Sequence, residues 1–157
     1  MGRKSIKENK NIYQEIREEL DLTREEASNL LEFISSDRIE KIENSKTIVR
    51  PEEVLKMAEV YKRSDLSNYY CTHECPIGQK YIPEVEKKDL SQITLEMLAI
   101  LNSLEKQKDR LIEITVDGKI SKDETKDFEE IKNQLYEMSK TIASLTMWID
   151  SQINIDK

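Results

Sequence analysis

Both cysteines and the only histidine of the chain lie within five residues, at Cys71, His73 and Cys75. Thiolate sulfur and imidazole nitrogen are ligands that zinc prefers in proteins. A zinc ion held by these residues would need a fourth ligand, from Glu74, from another loop or from a partner subunit. The residue types therefore indicate a candidate zinc site at Cys71, His73 and Cys75.

Two other interpretations of this cluster stay open. The Cys-x₃-Cys spacing is not a common zinc-ligand pair, and no second half-site appears elsewhere in the sequence. Cys71 and Cys75 would then be small, partly buried apolar residues in a compact linker, with His73 exposed. A thiol-based redox switch is the third interpretation. None of them requires an enzyme, and we expect no catalysis because the sequence lacks a phosphate-binding loop, a nucleophile elbow and a zinc-protease helix.

A second group of polar residues lies along one predicted helix. Ser35 is a good N-cap, so a helix is predicted to begin there. Ile39 and Ile42 have the spacing of its buried face, which leaves the polar residues between them on the outer face. A polar helix face of this kind can enter a DNA groove.

A preceding helix is predicted to position this one. Thr23 can accept from a backbone N–H while Glu26 reaches back, so the two residues form a capping box. The helix therefore begins at Thr23, with Ala27 and Leu30 or Leu31 on its inner face. Two short helices joined by a tight turn are the result.

This stretch resembles the Xre/Cro-like, or lambda-repressor-like, helix-turn-helix family. The chain supplies the elements of the family pattern in order: Leu22-Thr23, Ala27-Ser28, Leu31, Ser35, Ile39, Ile42-Glu43-Asn44, Lys46 and Pro51. The resemblance covers roughly residues 10–63 and implies a bundle of four to five helices that binds double-stranded DNA. One extra residue precedes Ser35, Arg24 replaces a glutamine, and Glu32 and Ser45 replace glycines. The missing glycines predict a reshaped turn, since Gly is favoured where the backbone is left-handed.

We predict that seven residues contact DNA. Four would meet bases or nearby phosphates and three would hold the backbone: Ser35, Ser36, Arg38 and Lys41, then Arg24, Asn44 and Lys46. Asp37 and Glu40 share this face and would repel phosphates unless they accept from cytosine or pair with a basic neighbour. The alternative function is therefore a protein–protein adaptor or antagonist of another regulator that keeps the fold without tight DNA binding.

The net charge of −7 is unevenly distributed along the chain. Residues 1–63 carry 13 Lys and Arg against 14 Asp and Glu, whereas residues 64–157 carry 12 against 18. The acidity thus lies mostly outside the predicted DNA-binding part. Four basic residues form an N-terminal arm that could add phosphate contacts: Arg3, Lys4, Lys7 and Lys10.

A further helix over residues 51–63 is predicted from Pro51, which suits a first helical position. Val54, Leu55, Ala58 and Tyr61 form its apolar stripe and would close the core. After residue 63 the helical period breaks, and two of the three prolines follow. We therefore predict a helix-turn-helix domain over residues 10–63 and an irregular Cys/His linker over residues 64–88.

Residues 89–153 are predicted to form an antiparallel helical hairpin. In the first helix Leu90, Met97, Leu104 and Leu111 repeat every seven residues, with Gln107 as a polar exception. Asp117-Gly118 ends that helix, and Ser121 with Glu124 caps the next. The second helix has apolar residues at alternating spacings of three and four: Phe128, Ile131, Leu135, Met138, Ile142, Leu145 and Ile149.

The hairpin has more apolar residues than two helices can bury between them. Leu95, Leu98, Leu101 and Trp148 lie off the main seam, so this surface must meet another one. We predict a homodimer through the hairpin, which would pair two DNA-binding domains; packing in cis or on a different protein is the alternative.

The composition predicts an all-α protein in the cytoplasm. Charged residues make up 36% of the 157, with three Gly and three Pro, which suits long solvated helices. No apolar run approaches the length of a membrane span, and the first residues lack a signal-peptide core.

Overall fold

The computed structural model describes residues 9–116 and 125–153, and within them it contains eight α-helices and no β-strand. The helices are α1 (Ile12–Glu19), α2 (Arg24–Leu31), α3 (Ser36–Glu43), α4 (Pro51–Val60), α5 (Asp65–His73), α6 (Pro76–Tyr81), α7 (Leu90–Thr115) and α8 (Thr125–Ile153). The all-α prediction is confirmed. The chain divides into two compact units, Met1–Lys80 and Tyr81–Lys157. We call the described part of the first unit the head, and α7 with α8 the hairpin.

Local capping starts the helices of the head where the sequence predicts. The Thr23 side chain accepts from the Glu26 N–H, and Glu26 Oε2 accepts from the Thr23 N–H, which completes the capping box of α2. The Ser35 hydroxyl caps α3, and Pro51 is the first residue of α4. These signals are local, so they act whatever the helices later pack against.

The head closes over one apolar core. Its buried residues come from the first five helices and the loops between them: Tyr13, Ile16, Ala27, Leu31, Ile34, Ile39, Ile42, Val49, Val54, Met57, Tyr61 and Leu66. Ile39 and Ile42 face inward, as predicted. Leu55 does not, because Met57 occupies the inner face of α4 and leaves Leu55 63% exposed.

Three helices of the head end in a left-handed residue that is not glycine. Asp21, Ser45 and Lys62 have φ angles of 55°, 54° and 53°. After α3, the Ser45 N–H bonds to the Ile42 carbonyl and the Lys46 N–H to the Lys41 carbonyl, which is the Schellman pattern. The backbone therefore keeps the geometry that glycine usually serves at this position, without the glycine.

The turn between α2 and α3 is tighter still. Glu32 has φ 62° and ψ −66°, and the Phe33 N–H donates to the Leu31 carbonyl at 2.7 Å. These angles and the bond across one residue define a γ-turn of the strained kind. Glu32 stands where the family usually has glycine, so the reshaped turn predicted from the sequence is centred on it.

The segment predicted as an irregular linker is mostly helical. Residues 65–73 and 76–81 form α5 and α6, and the boundary between the two units falls after Lys80. Leu66 is fully buried in the head core, which draws α5 onto α4. Gly78 permits the close approach of α6, since a Cβ atom there would lie 2.1 Å from the Cys71 carbonyl oxygen. These tertiary contacts override a sequence that has no sustained helical period.

Helices α7 and α8 form the predicted antiparallel hairpin. Gln107 Nε2 donates to Glu130 Oε1 at 3.0 Å, and Arg110 Nε to Asp127 Oδ2 at 2.7 Å, which fixes their register. The turn at Asp117-Gly118 and the cap at Ser121 and Glu124 lie outside the described residues. Among the described helices, none combines the length and the apolar character needed to cross a bilayer.

The buried face of α8 differs from the predicted stripe. Ile131, Thr141 and Ser144 are buried, whereas Leu135, Ile142 and Ile149 of the predicted stripe are exposed. The face that α8 buries is turned from the predicted stripe toward Thr141 and Ser144, which line a groove with the segment before α7. Leu135, Ile142 and Ile149 are therefore not covered by another described helix.

Candidate nucleic-acid interface

The outward face of α3 is polar and carries charges of both signs. Because Ile39 and Ile42 are buried, Asp37, Glu40 and Lys41 point toward solvent. None of these three charged side chains pairs with another described residue. Their two carboxylates and one amine are thus available to base edges or phosphates.

Ser36 and Lys46 extend this surface at the two ends of α3. Ser36 is half-buried in the first turn, and Lys46 is exposed just beyond the left-handed residue that ends the helix. Neither side chain has a hydrogen-bond partner among the residues that the structure describes. With Lys41, they are the predicted DNA contacts that no intramolecular bond engages.

Arg38, predicted to contact DNA, forms four hydrogen bonds within the head. Its Nε and Nη2 atoms donate to the two carboxylate oxygens of Glu53, each at 2.7 Å. Its Nη1 donates to Thr47 Oγ1 at 2.6 Å, and Nη2 also reaches the Ile48 carbonyl at 2.8 Å. A bidentate pair fixes orientation as well as adding energy. Arg38 therefore ties α3 to α4 and to the loop between them, and a DNA contact would require these bonds to open.

Glu53 is held ionised by this pair. Burial of its carboxyl group opposes ionisation, but the hydrogen bonds from Arg38 and from the Arg50 N–H outweigh burial and lower the pKa of Glu53. The same contact raises the pKa of Arg38. The link between α3 and α4 is consequently a charged one at neutral pH.

One buried carboxylate joins the three helices of the motif. Glu43 of α3 is 1% exposed and accepts from Arg17 of α1, at 2.5 Å from Nε and 3.0 Å from Nη2. Arg24 of α2 donates to the same carboxylate through Nε, at 2.8 Å. The terminal amino groups of Arg24 have no partner among the described residues, so Arg24 can hold Glu43 and still reach a phosphate.

Ser35 and Asn44 occupy the two ends of α3. The Ser35 hydroxyl oxygen accepts from the Arg38 N–H at 3.2 Å, which leaves its proton available to an acceptor outside the helix. Asn44 Nδ2 donates to the Glu40 carbonyl at 2.9 Å, so this side chain folds back onto the helix. The seven predicted contacts therefore lie on α3 or beside it, and they differ in how many hydrogen bonds hold each side chain within the head.

The predicted basic arm is only partly within the described residues. Arg3, Lys4 and Lys7 lie outside them. Lys10 pairs with Glu18 through a 2.7 Å bond, which places its charge against α1.

Sequence reasoning missed the residues that orient the interface. No role was predicted for Arg17, Glu53 or Thr47, yet each binds a residue of α3 and holds it in place. A signal for the first was present: Glu43 lies beside Ile42 on the inner face of α3, where a carboxylate needs a cationic partner. The long-range pairing itself is not encoded in any local pattern.

The cysteine and histidine residues lie at the corner between α5 and α6. Cys75 Sγ accepts from the Gly78 N–H at 3.4 Å, and the His73 ring stacks on Tyr69 with centroids 4.3 Å apart. Among the described residues, no three His, Cys, Asp or Glu side chains are grouped so that they could hold a metal ion. Zinc at Cys71, His73 and Cys75 stays a prediction, which metal analysis of the purified chain tests.

Comparison with known proteins agrees with the geometry of the head. Residues 14–66 match the model of a family described as Helix-turn-helix. The match begins at Gln14 within α1, includes α2 to α4 and ends at Leu66 in the first turn of α5, and it confirms the resemblance over about a third of the chain. No curated protein and no solved structure matches the chain.

Proposed function

Because residues 14–66 belong to the helix-turn-helix family, we propose that the chain is a sequence-specific regulator of transcription. It binds double-stranded DNA as a dimer in the cytoplasm. The observation that carries the proposal is α3, whose inner face is fixed through Glu43 while Lys41 on its outer face has no partner among the described residues. A rigid helix with a free polar face suits the major groove.

The proposed DNA contacts depend on how far each side chain is already hydrogen-bonded within the head. Ser36 and Lys41 meet base edges or nearby phosphates, and Asp37 or Glu40 accepts from a cytosine amino group. The phosphate contacts come from the remaining predicted residues other than Arg38: Arg24, Ser35, Asn44 and Lys46. Arg38 acts as a positioning residue, because its donors are occupied by Glu53, Thr47 and Ile48.

A dimer supplies what a single head lacks. One α3 reads a few base pairs, and two heads on a pair of half-sites double the number of contacts. The exposed aliphatic side chains of the hairpin, such as Leu98 and Ile142, support self-association there.

The acidic residues on α3 favour a rival function. Asp37 and Glu40 have no intramolecular cationic partner among the described residues, and DNA phosphates would repel them. The rival is an adaptor or antagonist that keeps the fold and binds another regulator.

Selection from a random DNA library separates the two functions. The full chain should enrich duplexes that share one sequence motif, and Lys41→Ala should abolish the enrichment. Lys106→Ala removes the same charge from an exposed position on α7 and should leave it unchanged. Arg38→Ala is unsuitable here, because loss of its bonds to Glu53 would disturb the head itself.

Enrichment of no motif by the folded wild-type chain would contradict sequence-specific binding. A motif that Lys41→Ala enriches as well as the wild type does would show that α3 is not the reading helix.

A further inference from the structure

One side of the hairpin carries large aliphatic side chains that no described residue covers. Leu98, Leu101 and Ile112 of α7 are 52%, 44% and 56% exposed. Leu135, Ile142 and Ile149 of α8 are 51%, 48% and 41% exposed. Scattered exposed leucines are ordinary, but two rows on adjacent helices form a contiguous apolar surface, which we call the open face.

Helix geometry puts both rows on the same side of the hairpin. At about 100° per residue, each row is turned by roughly a quarter of a circle from the buried seam, in the same sense about its own axis. Because α7 and α8 are antiparallel, equal turns in the same sense point both rows to one side. The open face is therefore continuous across both helices.

The opposite side of the hairpin is already occupied. Lys88, just before α7, bonds to both carboxylate oxygens of Glu96 at 2.8 Å. Glu84, Val85 and Glu86 of the same segment line a groove with Thr141 and Ser144 of α8. The hairpin thus has one covered side and one apolar side.

We propose that a second copy of this chain covers the open face, so that two hairpins form a four-helix bundle. The proposal rests on the dimeric function proposed above and names its interface. A two-fold axis parallel to the helices would set the α7 row of one copy against the α8 row of the other. Such an interface is self-complementary and closed, as expected for a homodimer.

Charge at the edges of the open face favours this arrangement. The cross-helix bonds of Gln107 to Glu130 and of Arg110 to Asp127 fix which residues lie level along the hairpin. By the same register Glu105 is level with Lys132. A two-fold axis parallel to the helices does not change a residue's position along the helix axis. Residues that are level within one copy are therefore also level between copies, and Glu105 meets the partner's Lys132.

A perpendicular two-fold axis fits less well. It would set α7 against the partner's α7, so that Glu105 would lie away from the partner's Lys132 and the contact between opposite charges would be lost. Lys132 has no ion-pair partner among the described residues. Glu105 is bound to Lys108 at 2.9 Å in an exposed pair one helical turn apart, a weak contact that it can exchange for the partner's Lys132.

Sedimentation of the full chain tests the open face. The wild type should sediment at about twice its 18.5 kDa mass. Leu98→Glu should shift it to the monomer. Leu55→Glu, at a leucine of the head that is 63% exposed, is the matched control and should leave the dimer intact. Helical content by circular dichroism confirms that each variant is folded.

Charge exchange tests the partner and the arrangement. Glu105→Lys and Lys132→Glu should each weaken the dimer several-fold, and the double variant should restore it, because the pair is rebuilt with opposite signs. A wild-type monomer, a dimer indifferent to Leu98→Glu, or a double variant weaker than either single one would overturn the proposal.

The two proposals fail separately. A monomeric chain that still binds DNA through Lys41 would reject this interface and keep the DNA-binding function. A dimer sensitive to Leu98→Glu that binds no DNA would do the reverse.

Discussion

At the scale of single residues, the head accepts backbone geometry that its side chains do not favour. Glu32 and Ser45 have left-handed φ angles of 62° and 54°, which L-residues with a Cβ adopt at a cost. Both flank α3, one before it and one after it. The surrounding packing of Leu31, Ile34 and Ile42 holds them there.

Glycine at either position should therefore stabilise the head. We expect Glu32→Gly and Ser45→Gly each to raise the free energy of unfolding by about 0.5–1 kcal/mol. Glycine relieves the backbone strain, and this gain exceeds the cost of its greater conformational entropy in the unfolded chain. The Glu32–Lys56 pair lost in the first variant is solvent-exposed and contributes little. Urea unfolding measures the change. Glu40→Gly, in the helical interior of α3, is the control, and its free energy of unfolding should fall by about 1 kcal/mol. A lower free energy of unfolding for Glu32→Gly would contradict this explanation.

The lowered pKa of Glu53 makes the α3–α4 link sensitive to acid. A carboxyl group whose pKa is lowered by folding stabilises the folded state at every pH above its ordinary pKa of 4.5. This stabilisation is lost as the pH falls through the lower pKa of the folded state. We expect Glu53→Gln to be less stable than the wild type at neutral pH. The difference in the free energy of unfolding between the wild type and Glu53→Gln should narrow as the pH falls below 4.5. Unfolding curves measured over a pH series would show this. A difference in the free energy of unfolding that does not change with pH would mean that Arg38 is not held by the charge of Glu53.

At the scale of elements, the orientation of the motif depends on the Glu43 network. Glu43→Gln would remove the carboxylate to which buried Arg17 donates two hydrogen bonds, and breaking a buried pair in this way costs about 3–5 kcal/mol. A small head has a total stability of about 5–15 kcal/mol, so we expect its melting transition to drop sharply or disappear. Glu40→Gln changes an exposed carboxylate three residues earlier and should leave the transition in place. Equal effects of the two substitutions would show that the burial of Glu43 is unimportant.

The elements themselves were predictable where the signals are local. The Thr23–Glu26 capping box, the Ser35 cap and Pro51 each act within one helical turn, so the sequence predicted the starts of α2, α3 and α4. Helix α5 was missed because Leu66 joins a core assembled from residues far away in the sequence. The roles of Arg38 and Arg24 likewise depend on partners 15 and 19 residues distant.

At the scale of the whole molecule, the net charge limits how the proposed DNA binding can work. The net charge is −7, so attraction to DNA must come from a few local cations rather than from the overall field. Lys41, Lys46 and the outer part of Arg24 are such cations, and a second head would double them. We therefore expect binding that depends on both heads and weakens steeply with salt.

The salt dependence of DNA binding by the full chain tests the central claim most directly. Fluorescence anisotropy with a selected duplex should give a straight line of log affinity against log salt. The slope for Lys41→Ala should be shallower by about 0.9 for each phosphate contact removed, and twice that for a dimer. Lys106→Ala should keep the wild-type slope. Salt-independent or absent binding, or equal slopes for Lys41→Ala and Lys106→Ala, would contradict α3 as the helix that binds DNA.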